Sequence, residues 1–135
     1  MRIAAAFDEG ARGVRDAVVD PLVAQSHEVV DLGTVLGRPE DIALDLARLV
    51  LAGEVERAIL VSSSALAASF FANKIDGIHA GVCADAYDAR RGGENGVNLA
   101  CLGLDLTPAE ATGIVRAFVE ARTHRLSPSR VVVAA

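Results

Sequence analysis

The sequence is poor in the residues that mark several specialised functions. Its 135 residues include no tryptophan, one tyrosine and four phenylalanines, and the formal net charge is −5. A nucleic-acid surface needs a basic patch with interleaved aromatic faces, so no nucleic-acid partner is expected. No apolar run approaches the roughly 20 residues that cross a bilayer, so no membrane partner is expected either. A secretory leader would stay apolar where Asp8 and Glu9 stand, which makes the expected location cytoplasmic. Only two cysteines occur, Cys83 and Cys101, each within a short apolar stretch. They read as buried reduced thiols rather than a disulfide. His27, His79 and His124 are scattered, so no metal-ligand spacing is present, and neither a metal nor a cofactor is expected. There is no linker, low-complexity segment or internal repeat.

What the chain does have is apolar substance: 52% of its residues are hydrophobic, enough for a sizeable core. At this length one domain spanning residues 1–135 is the expectation. The most informative stretch is 57–74, RAILVSSSALAASFFANK. Residues 58–61 read as a buried strand, Ser62, Ser63 and Ser64 as a turn, and residues 65–72 as an alanine-rich helix. The first N–H groups of a helix lack internal partners and carry its positive dipole end, which suits an anion or a developing oxyanion. Equally, the serines can simply cap the helix.

Taken in order, residues 3–7 read as a buried strand ending at Asp8, Glu9 and Gly10. Residues 12–24 read as a helix interrupted by Pro21, 28–32 as a second strand, and 41–52 as a periodic helix. After the serine turn come a strand at 79–83, a short helix at 88–92, a glycine-rich loop at 92–96 and a strand at 97–102. A last helix opens with the capping pair Thr107 and Glu110. Such alternation predicts βαβ units: an α/β fold with one parallel, Rossmann-like sheet covered on both sides. Asp8, Ser62–Ser64, Asp85 and the pair Glu94-Asn95 are expected along one edge of that sheet, where open α/β sheets hold ligands. Tyr87 is expected to be packed.

The chain resembles the family of ribose-5-phosphate isomerase type B and galactose-6-phosphate isomerase subunits. The resemblance runs from Met1 to about Val131, through Arg2-Ile3-Ala4 and Asp8, His27 to Thr34, and Ile59-Leu60-Val61. It continues through Ala72-Asn73-Lys74-Ile75-x-Gly77-Ile78 and Cys83-x-Asp85-x-Tyr87-x-Ala89-Arg90 to Cys101-Leu102-Gly103. It implies a three-layer α/β/α domain with five parallel strands in the order 2-1-3-5-4. It also implies a homodimer or tetramer with sites shared between subunits, and aldose–ketose isomerisation of a sugar phosphate through an enediolate.

The departures fall at the site. The family's histidine after the aspartate is Glu9, its catalytic cysteine is Ser62, and its loop glycines are Ser63, Ala65 and Ala67. The glutamate base of some members is Ala68, and the ring-opening histidine is Asn95. In the tail only Arg130-Val131 align, with Arg125 one place out of register. The resemblance therefore puts Asp8, Ser62 and Asn95 in catalytic positions. Glu9, Ser63, Ser64, Ala65, Leu66, Ala67, Arg125 and Arg130 would contact a small carbohydrate or sugar phosphate. A carbohydrate of little charge is favoured, because Glu9 repels a dianion and the alanines narrow the turn. A subunit working only with a paralogous partner, or a carbohydrate-binding protein without turnover, are the alternatives. Phe70 and Phe71 are adjacent on a helix and cannot share one face, so a covering second subunit is expected.

Overall fold

A computed structural model describes residues 1–123. The elements are β1 (Arg2–Phe7), a 3-10 turn (Glu9–Val14), α1 (Arg15–Ala24), β2 (Glu28–Thr34), α2 (Pro39–Leu51), β3 (Arg57–Val61), α3 (Ala65–Ala72), β4 (Ala80–Val82), α4 (Ala86–Glu94), β5 (Leu99–Leu102) and α5 (Pro108–Glu120). The five strands form one sheet in the order β2-β1-β3-β5-β4, every pair parallel. This is the expected fold and strand order.

The layering follows from the alternation of side chains along β1. Ile3, Ala5 and Phe7 face Val18 and Leu22 of α1 and Ile114, Val115 and Phe118 of α5. Ala4 and Ala6 face the other way, toward Ile42 and Leu46 of α2 and Ala65, Ala68 and Ala72 of α3. Both faces of β1 and β3 are covered, which is why those strands are continuous apolar runs rather than alternating ones.

Pro21 does not stop α1; the helix runs through it to Ala24. A proline at this position cannot donate to the carbonyl four residues back, which is that of Ala17. That carbonyl instead accepts a hydrogen bond from the Thr112 hydroxyl of α5, at 2.6 Å. A loss within one helix becomes a bond between two.

Most element ends shift by one or two residues from expectation, and two stretches differ in kind. Residues 9–14 form a 3-10 turn, so the first helix begins three residues later, at Arg15. The glycine-rich stretch expected as a loop belongs largely to α4, which continues to Glu94. Gly92 and Gly93 are there for packing: a Cβ on Gly93 would stand 2.6 Å from that of Ala121 and 2.9 Å from the Phe118 carbonyl oxygen. Among the described residues, no helix is long and apolar enough to cross a membrane.

Candidate functional site

β1 and β3 are neighbours with Phe7 opposite Val61, so the residues that follow them meet at one edge of the sheet. The Asp8 N–H donates to the Val61 carbonyl at 3.0 Å. The Asp8 side chain is buried, and both of its oxygens hold backbone N–H groups. Oδ1 accepts from Ala11 at 3.1 Å and caps the 3-10 turn, while Oδ2 accepts from Ser63 across the gap between strands. Asp8 thus ties the turn after β1 to the turn after β3.

The three serines divide their work. Ser62 is fully buried; its N–H donates to the Leu102 carbonyl, and its Oγ accepts from the Ser64 N–H at 3.2 Å. Ser64 is the N-cap of α3, its Oγ accepting from the Ala67 N–H at 3.3 Å. Ser63 is exposed. Five N–H groups, those of Ser63 to Ala67, were candidates to hold an oxyanion. Three are spent inside the protein, on Asp8, Ser62 and Ser64. Those of Ala65 and Leu66 have no partner among the described residues. The reason is local: short polar side chains beside a helix start reach its orphan N–H groups before a ligand does.

A groove of 240 Å³ opens at this edge, lined by Asp8, Glu9, Gly10, Val35, Leu36, Gly37, Ser63 and Leu104. Gly10 allows Leu104 to close one side, because a Cβ there would stand 2.7 Å from Leu104 Cδ1. Glu9 is exposed and carries no hydrogen bond or ion pair among the described residues. Wider hollows of 670 and 610 Å³ lie elsewhere, one beside α4 and α5, one around Met1, His27 and Arg57. Neither includes Asp8, Glu9 or Ser63.

Asn95 does not join this group within one chain. It is the C-cap of α4, its Nδ2 donating to the Arg91 carbonyl at 2.6 Å. Helix α4 starts past the end of β4 and runs back, so its last turn lies beside Arg57, the first residue of β3. Asn95 and Glu94 therefore sit at the opposite edge of the sheet from Asp8, not along the same one as expected. The cause is topology: both residues precede β5, and β5 begins at the edge where β3 begins, opposite the one where β1 ends. Asp85 does lie at the expected edge, as the N-cap of α4, accepting from Asp88 at 2.7 Å. Tyr87 is not packed but 71% exposed, bordering the hollow beside α4. Arg125 and Arg130 lie outside the described residues.

Cys83 and Cys101 are free and buried. Burial pushes both thiols up to about 12, with Asp88 and Asp85 adding to the effect at Cys83, and Cys83 at Cys101. Neither can supply a thiolate at neutral pH. Among the described residues, no three His, Cys, Asp or Glu side chains are grouped to hold a metal ion.

Residues 3–132 match the Ribose/Galactose Isomerase family. The chain belongs to this family. Its relatives include YwlF of Bacillus subtilis (strain 168), named as a sugar phosphate isomerase. That protein is 30% identical over 108 residues, which cover 76% of this chain and 72% of that protein. The 4-deoxy-4-sulfo-D-erythrose isomerase of Clostridium sp. (strain MSTE9) is 29% identical over 67% of this chain and 60% of its own length, under two thirds. The crystal structure of ribose-5-phosphate isomerase B from Giardia lamblia superposes with a TM-score of 0.83 at 32% identity. The match covers 92% of this chain and 98% of that one.

Sequence reading did not single out Arg57, which starts β3. Its guanidinium is buried and donates to the carbonyls of Phe118 and of Ala121, the latter at 2.7 Å; its carbon lies 5.2 Å from the Phe118 ring centroid. Burial lowers its pKa, while Glu56 works the other way. A lone arginine directly ahead of a buried strand was the only signal, and its partners lie more than 60 residues away.

Proposed function

We propose that this chain is a divergent aldose–ketose isomerase acting on a small carbohydrate or its phosphate through an enediolate. The observation that carries the reading is the groove at the ends of β1 and β3, which Asp8, Glu9 and Ser63 all line, in a chain of the isomerase family. Carboxylates beside hydroxyl and backbone donors suit a polyhydroxy ligand, and the Glu9 charge disfavours a dianion at that end. The substrate is therefore a sugar with little or no charge in the groove. In this reading Asn95 serves the groove of a second subunit, since it stands at the far edge of its own. The oligomer is supported by Leu66 and Phe70, which are 73% and 67% exposed on one face of α3. The reading takes the chain as one cytoplasmic domain that works without a cofactor.

The deciding test is a screen of D-erythrose, D-ribose and their terminal phosphates with purified protein in D₂O, followed by proton NMR. Loss of a carbon-bound proton next to the carbonyl supports the isomerase, and silence across the panel refutes it. A second reading, a partner subunit without turnover, is favoured by one observation: the residue in the cysteine position, Ser62, is fully buried. It predicts silence for the chain alone and turnover only when a cysteine-bearing paralogue is added.

A further inference from the structure

Enolisation needs a group that takes a proton from carbon. The position expected to supply it, Ser62, has no exposed surface, and its Oγ accepts the Ser64 N–H. Ala68 carries no ionisable group. The two cysteines are buried, with thiols held protonated at neutral pH. Within the groove the ionisable side chains are Asp8 and Glu9. Each oxygen of Asp8 already holds a backbone N–H, and withdrawing it would unfasten the turns after β1 and β3. Glu9 is bound to nothing among the described residues, lines the same groove, and shares it with the exposed Ser63. Leu36 and Leu104 add apolar lining.

Resting on the isomerase reading above, we infer that Glu9 is the catalytic base of this protein. It acts from the 3-10 turn after β1, beside the turn after β3 that carries Ser62. The Glu9 carboxylate removes the proton from the carbon next to the aldehyde of the open-chain sugar. The C–H electron pair becomes the new carbon–carbon double bond, and the carbonyl pair moves onto oxygen as the enediolate. Glu9, now protonated, returns the proton to the former aldehyde carbon. The neighbouring hydroxyl proton passes to the first oxygen, so the ketose forms with no atom or electron gained or lost. Ser63 is placed to donate its hydroxyl hydrogen to the oxyanion.

The test uses the full chain and the same four probes in D₂O. Glu9→Gln is nearly isosteric and exposed, so its melting temperature should match the wild type. Exchange of the carbon-bound proton should fall about 10²–10⁴-fold, with probe binding by NMR titration retained. Glu9→Asp, which keeps the carboxylate at shorter reach, should recover part of the rate. Exchange by Glu9→Gln within threefold of the wild type would overturn the assignment and leave the isomerase reading standing. Loss of probe binding in Glu9→Gln would overturn it too, making Glu9 a ligand contact. If the wild type exchanges no probe, the isomerase reading fails and the base goes with it.

Discussion

Asp8 and Arg57 are two buried charges at opposite ends of neighbouring strands. Both are answered by backbone dipoles rather than by an opposite charge. Asp8 follows the end of β1 and gathers N–H groups from two turns. Arg57 begins β3 and gathers carbonyls from the last turns of α5, where a helix presents its negative end. The partners differ in what they leave open. The Asp8 turns border the groove with Glu9 and Ser63, whereas the Arg57 guanidinium packs under the junction of α4 and α5, against Gly93, Phe118 and Ala121, at the floor of the hollow it shares with Met1 and His27. The same electrostatic device shapes a site at one edge and fastens the chain at the other. Four sets of substitutions test that contrast.

The largest effect is expected at Arg57. Arg57→Ala removes two charge-assisted hydrogen bonds, the contact with Phe118 and the packed stem of the side chain. We expect a loss of about 4 kcal/mol in urea unfolding, with catalysis per folded molecule little changed. A loss under about 1 kcal/mol would show that the α4–α5 junction stands without it.

Asp8→Ala should cost about 3 kcal/mol, because the buried Ala11 N–H and the part-buried Ser63 N–H lose their acceptor, and should also abolish ligand binding at the groove. Asp8→Asn keeps one carbonyl oxygen and should lie between the two in stability. If Asp8→Ala unfolds at wild-type urea while binding is lost, Asp8 touches the ligand and does not fasten the turns.

How much of this was legible beforehand depends on the range of the forces involved. The five strands were readable because β1, β3 and β5 are buried on both faces, and continuous apolar runs are the local trace of that burial. The capping roles of Thr107 and Ser64 were readable because a cap and its N–H lie three residues apart. The end of α4 was not. Gly92-Gly93 looks like a loop until Ala121 and the Phe118 carbonyl are placed against it, and nothing near Gly93 encodes that. Asn95 was misplaced for a different reason: it comes just before β5, and what precedes a parallel strand lies at the edge opposite the ends of β1 and β3. The resemblance correctly brought Asp8 beside the serine turn, but which N–H groups remained for a ligand required the actual hydrogen bonds.

The next effect concerns the thiols, which stay neutral because the protein does not support their charge. Cys83 and Cys101 are buried without the fan of backbone donors that Asp8 enjoys, and burial raises both from an ordinary 9.0 to about 12. Folding thus favours the protonated thiol. The stability this contributes is fully present below pH 9 and is lost as pH rises from there toward 12. At pH 10 each thiol should cost about 1 kcal/mol, so a double Cys→Ser or Cys→Ala variant should show a flatter stability profile between pH 8 and 10.5. An identical alkaline slope in that variant would place the titrating groups elsewhere.

The smallest effect sharpens the boundary between scaffold and site within the serine turn. Ser64 caps α3 through one hydrogen bond to the Ala67 N–H, on a helix of only eight residues. Ser64→Ala should cost about 1 kcal/mol, the usual worth of an N-cap, and Ser64→Asp should restore it, since a carboxylate also complements the dipole. Ser64 is absent from the groove lining, so proton exchange from any active probe should be unchanged once folded protein is compared with folded protein. Ser63→Ala should do the reverse: its N–H bond to Asp8 comes from the backbone and survives, so stability should hold while exchange falls. Neighbouring serines would then report separately on the fold and on the chemistry. If Ser64→Ala instead lowered exchange at unchanged stability, the cap would belong to the site, and the division of work along this turn would be wrong.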